Sequence, residues 1–162
     1  MPLPESALNL AGFALAQAVK NISLLSEDDF LCPFAIVEQA GNRTVTKFED
    51  PRPDTAIVRG KEAMTQATKT AEAWALGHED FTQQGKEAMD AIAIDFWTKG
   101  MKSPATLVQR FELPPGQRKI HLVGDPGIII DSIVQDPGEV GHLVRYIMQG
   151  VHQHRQSGSM VE

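Results

Sequence analysis

Apolar side chains near the start of the chain return at three- and four-residue steps. Leu8, Ala11, Leu15, Ala18, Val19 and Ile22 line one face of a helix expected from about Pro4 to Ile22. The acidic turn SEDD ends it. FLCPFAIVEQ then reads as a strand, and AGN as a turn with Gly41-Asn42 suited to positive φ. RTVTKFE returns as a second strand in which Thr44, Thr46 and Phe48 alternate with Val45 and Lys47. In DPRPD the prolines forbid ladder bonds and turn their predecessors away from helix. A second helix is expected from Thr55 to about Ala73, with Asp54 as its N-cap. Its inner stripe, Ile57, Gly60, Ala63 or Met64, Ala67 and Ala71, is built mostly of small residues, so its backbone can approach a sheet or another helix closely.

AWALGHEDF and AMDAIAIDFW, separated by the polar turn TQQGKE, form the clearest hairpin in the sequence. Ile92, Ile94 and Phe96 share one face of its second strand; Ala91, Ala93, Asp95 and Trp97 share the other. ATLVQRFEL follows, and KIHLVG and GIIIDSIV read as two further short strands with Asp125-Pro126-Gly127 as the turn between them. A C-terminal helix is marked by the apolar stripe Val140, Leu143, Val144, Ile147, Met148 and Val151. The second Asp-Pro-Gly stands before it, with Asp136 as N-cap, Pro137 at the first helical position and Glu139 completing a variant of the capping box. The order α-β-β-α-β(several)-α predicts an α+β fold in one domain over residues 1–151, with three helices and a mainly antiparallel sheet of five or six strands. The polar segment 152–162 is expected to be a flexible tail.

Charge narrows the range of partners. A net charge of -6, with Arg118-Lys119 as the only adjacent basic pair, excludes a nucleic-acid footprint and disfavours an anionic membrane surface. The apolar stretch from Leu10 to Ala16 is far short of the ~20 residues of a membrane span. The N-terminus carries Glu5 where a secretory signal would carry basic residues, and a cytoplasmic address is expected. The single cysteine, Cys32, can form neither an intramolecular disulfide nor a thiolate-rich zinc site, and it reads as a buried small hydrophobe. The repeated Asp-Pro-Gly is not a phosphate loop: each proline removes an N–H, and each aspartate puts negative charge where an anion would sit.

Acid–base chemistry has one natural place. Trp74, Leu76, His78 and Asp80 alternate onto one face of their strand. If that face coincides with the face carrying Asp95, a histidine and a carboxylate meet among tryptophan and alanine side chains, a setting that shifts pKa values. His152 and His154 would share a metal only on an extended segment, since on a helix they diverge by about 200°. No third ligand stands nearby, and neither a metal site nor a cofactor is expected. Gly-x-Ser-x-Gly, His-Glu-x-x-His and Cys-x-x-Cys do not occur. The pattern points to a small non-catalytic binding or adaptor protein acting through protein–protein contacts, as a homodimer or with another protein partner. The alternative is a small-molecule enzyme or ligand-binding domain centred on His78, Asp80 and Asp95.

Overall fold

A computed structural model describes residues 3–25, 29–84, 87–112, 120–136 and 141–157. Helix α1 (Glu5–Ser23) is followed by strands β1 (Phe34–Gln39) and β2 (Asn42–Lys47) and helix α2 (Pro53–Ala67). Strands β3 (Ala73–Gln84), β4 (Glu87–Thr98), β5 (Ala105–Glu112), β6 (His121–Ile130) and β7 (Ile133–Val134) come next. A 3-10 turn, Gly141–Leu143, leads into helix α3 (Val144–Ser157). All seven strands form one antiparallel sheet in the order β2-β1-β3-β4-β5-β6-β7. The α+β class and the element order are as the sequence predicts, with a sheet slightly larger than the five or six strands expected.

Strands with apolar residues on both faces need cover on both, and the helices divide accordingly. α1 lies on one face, where Leu8, Leu10 and Phe13 belong to one buried cluster with Ile92, Ile94 and Phe96. Burying each such large side chain contributes ~1.5–3 kcal/mol, so this layer holds most of the fold's stability. α3 packs along the outer side of α1, which therefore is buried nearly all round rather than along one stripe. Two glycines permit the approach. A Cβ on Gly12 would stand 1.8 Å from the Ile147 carbonyl oxygen, and one on Gly150 would stand 1.9 Å from that of Asn9. On the opposite face α2 covers Ala35, Trp74 and Leu76, with Met64 and Phe48 completing a second, smaller core. Here Gly60, in the small-residue stripe, brings the helix down onto Leu76 and Phe48 within the same chain.

Several boundaries differ from the sequence reading, each for a local reason. α2 starts at Pro53 and its N-cap is Arg52; Asp54 lies inside the first turn and supplies negative charge at the helix start, with no side-chain cap bond on Arg52. Between β1 and β2 the positive φ values fall on Ala40 and Gly41, one residue earlier than expected, and Gln39 pairs with Asn42 across this two-residue loop. Asp125-Pro126-Gly127 is not a turn but part of a bulge inside β6. Val108 pairs with Gly127 and Arg110 with Val123, so Gln109 alone faces Gly124, Asp125 and Pro126. Proline cannot donate to the ladder, and the bulge is where the sheet can hold it. The Gln109 amide closes the gap, donating to Val123 O at 3.3 Å and to Gly124 O at 3.1 Å. The actual reversal comes at Asp131 and Ser132, both at positive φ, inside what reads as one strand, GIIIDSIV. The capping box at Pro137 and Glu139 falls on residues outside those described. The segment from residue 152, expected as a loose tail, continues α3 as far as Ser157.

Candidate functional site

The β3–β4 register decides where the candidate residues stand. Trp74 faces Trp97, Leu76 faces Asp95, His78 faces Ala93 and Asp80 faces Ala91, so the two faces coincide. Asp95 is diagonal to His78, a separation that long side chains bridge. His78 Nε2 lies 3.1 Å from Asp95 Oδ2, with side-chain exposures of 7% and 15%. From β5, opposite Asp95, Thr106 donates its hydroxyl to Asp95 Oδ1 at 2.7 Å. Asp80 lies one step further along the same face, is exposed, and does not line the groove described below.

Hydrogen-bond roles limit what the histidine can do. Its Nδ1 is 3.2 Å from the Glu79 carbonyl oxygen and its Nε2 faces the Asp95 carboxylate. Both partners accept only, so the nitrogen that carries the ring proton donates to whichever of them it faces. Burial pushes the Asp95 carboxyl up. The hydrogen bond and charge of His78, the Thr106 hydroxyl and the more distant Lys61 ammonium together outweigh it and hold the group below the usual carboxylate range. Neither ring nitrogen points to open solvent: one faces the Glu79 carbonyl and the other the Asp95 carboxylate, which leaves the ring poorly placed to take a proton from a substrate.

Asp95 also forms part of a groove of about 390 Å³ between α2 and the sheet. Trp74, Leu76 and Pro104 supply its apolar wall, and Lys61 and Thr65 of α2, with Thr68 at its C-cap, the rim. Trp74 is fixed twice, by an Nε1–H bond to Thr68 Oγ1 at 2.8 Å and by stacking on Trp97 with ring centroids 6.5 Å apart. Each carboxylate oxygen accepts more than one hydrogen bond, so Asp95 can still receive a donor from a molecule in the groove.

The paired histidines of the C-terminal segment separate as helical geometry requires. His152 is exposed, whereas His154 is buried, edge-on to Phe13 with ring centroids 4.9 Å apart. Its Nε2 lies 2.8 Å from Gln17 Oε1, and Gln17 Nε2 in turn donates to Asn21 Oδ1 at 2.8 Å. Burial, then the Lys20 and Arg155 charges, lower the His154 pKa. No group of three or more His, Cys, Asp or Glu among the described residues is placed to hold a metal ion. Cys32 is partly buried, its Sγ 3.6 Å from Phe48 O, and burial followed by Glu49 raises its pKa, which keeps it a thiol.

Thr106 and Lys61 are the site residues that sequence reasoning missed. The alternation of ATLVQRFEL would place Thr106 on one face with Val108 and Arg110, but the register that sets it against Asp95 has no local signal. Lys61 stands one position after Gly60, and the close seating of α2 brings it to the groove that Asp95 lines. No helix among the described residues is long and apolar enough to cross a membrane. The chain matches no family model, no curated protein and no solved structure.

Proposed function

We propose that this chain is a non-catalytic binding protein whose groove between α2 and the sheet takes a small molecule with two polar ends. One end donates hydrogen bonds to Asp95, the other accepts from Lys61, and an apolar middle lies along Trp74 and Leu76. The observation that carries the reading is the double commitment of His78. With both nitrogens facing acceptors, the residue best suited to acid–base catalysis is occupied in holding Asp95 in its charged form. A preorganised carboxylate beside a fixed indole is a recognition device for an amine or amide donor. A cytoplasmic address belongs to the same proposal and is supported by the single free cysteine.

Both tryptophans of the chain stand in this cluster, so intrinsic fluorescence reports on it directly. Phenylalanine is a suitable probe, since it carries an ammonium, a carboxylate and an apolar ring. The expected result is saturable quenching by phenylalanine, weakened about tenfold by N-acetylation and again in the Asp95→Asn protein, with Lys61→Gln weakening it less. Lys61 is exposed, so its variant is expected to stay folded and its weaker binding reads the ligand and not the fold. Equal responses from the free and N-acetylated probes would defeat the proposal.

A protein partner has separate support. Ile133 and Val134, on the edge strand β7, are 65% and 71% exposed, and an apolar strand at the end of a sheet is a place for another chain to pair. A homodimer through that edge is the form of the adaptor reading this observation favours.

A further inference from the structure

On the face of the sheet away from Asp95, a cleft of about 420 Å³ opens between α1, α3 and the strands β5 and β6. Leu15 and Val19 form one side, Ile147 and Val151 the other, and Leu122 and Met148, each 49% exposed, stand at its rim. The volume lies within the roughly 300–1,000 Å³ typical of small-molecule sites. Polar groups lie within it as well. Gln109 and His154 are 2% and 5% exposed and held by the bonds described above, so the lining is a built surface rather than a gap between loose side chains.

Charge decides what fits. Among the described residues that line the cleft, the charged ones are Lys20 and Arg155, and both are positive. Neither has a carboxylate partner among the described residues. Their location is notable in a chain of net charge -6, where cations are outnumbered and would be expected beside acids. The two stand on different helices, Lys20 near the end of α1 and Arg155 in the last turn of α3, and converge on one apolar cleft.

We infer that this cleft binds a free medium-chain fatty acid, its alkyl chain along Leu15, Val19, Ile147 and Val151 and its carboxylate between Lys20 and Arg155. A long apolar chain gains by leaving water at about 25 cal/mol per Å², and the paired cations give the carboxylate charge-assisted bonds at one end. A neutral chain would gain only the first of these, and an acid without a chain only the second. The site is separate from the Asp95 groove and does not depend on it.

Decanoate is the probe. Titration followed by calorimetry or by methyl NMR of Met148 is expected to show one saturable site, with decanol binding about tenfold more weakly. The double variant Lys20→Gln/Arg155→Gln changes two exposed side chains, so it folds, and it should bring decanoate down to the affinity of decanol. Tryptophan fluorescence should stay unchanged through the titration, because both indoles lie on the other face. Equal affinity for decanoate and decanol, an unaltered affinity in the double variant, or no saturable binding would each overturn the inference. So would self-association that removes the cleft from solvent, seen as protection of Met148 that grows with protein concentration in the absence of ligand.

Discussion

Asp95 shows what one buried carboxylate commits a sheet to. It sits on the covered face of a central strand, where desolvation is costly, and it remains charged because His78 and Thr106 supply donors and Lys61 adds a favourable field. Removing it leaves His78 Nε2 and the Thr106 hydroxyl without the carboxylate they meet. Asp95→Ala is therefore expected to destabilise the fold by about 3 kcal/mol, and Asp95→Asn by less, because the amide oxygen still accepts. Denaturant midpoints of the two variants check this; equal costs would mean that the carboxylate charge, which both variants remove, dominates over packing and the accepted hydrogen bonds. The pH dependence follows from two depressed groups. Asp95 stabilises the fold above the ordinary carboxylate value of 3.8, and that contribution is lost as pH falls through its lower folded value. His154 also has a folded value below its ordinary 6.5, so the unfolded chain takes up protons first and stability falls as pH drops below about 6.5. The melting temperature should thus decline between about pH 7.5 and pH 5.5, and His154→Gln should flatten that decline. At this scale the sequence shows which residues share a strand face, because alternation fixes that. It cannot show that His154 is buried, since its polar neighbours His152, Gln153 and Arg155 hide a packing contact made with a helix more than a hundred residues earlier.

At the scale of elements, the helix pair α1–α3 is set by two positions that carry no side chain. Gly12 and Gly150 each place backbone against the other helix's carbonyl oxygens, at distances no Cβ could share. Gly150→Ala gains helix propensity, worth ~1 kcal/mol in an isolated helix, yet here it must drive the helices apart. The expected net result is a loss of about 2–3 kcal/mol, read from the denaturant midpoint, with Gly12→Ala showing a similar loss and the pair less than additive. An unchanged midpoint would show that the helices can slide apart without penalty. The stripe of the first helix was legible in the sequence, and so was the hairpin of β3 and β4, because long periodic segments state their own geometry. The bulge of β6 was not. Asp125-Pro126-Gly127 has the composition of a β-turn, and only the pairing of β5 on both sides of it, with Gln109 filling the gap, shows that the strand continues. The true reversal uses Asp131-Ser132, which lacks the glycine that usually advertises two successive positive φ values.

The whole molecule explains why apolar residues crowd both sides of β3 and β4. One face meets α1 and the other meets α2, a division that the two-sided pattern implies. The groove and the cleft are products of that arrangement and were not legible, because each lies where elements distant in sequence fail to close completely. Among the described residues, the β7 end of the sheet presents an exposed apolar edge. Ile133 and Val134 belong to a two-residue strand, short as protective edge strands are, yet both side chains are more than half exposed and no charge stands in the strand itself. A twofold partner pairing along this edge would cover both, and closed symmetric dimers are the commonest assembly of soluble chains. Sedimentation equilibrium at micromolar concentration is expected to show a dimer in exchange with the 17.7 kDa monomer. Val134→Lys should shift the chain to monomer while leaving its melting temperature nearly unchanged, because the side chain supports no part of either core. The second half of that test separates an interface from a structural role: a variant that lost association only by unfolding would melt early. A wild-type chain that stays at 17.7 kDa at every concentration rules out the homodimer and leaves the edge to a partner of different sequence.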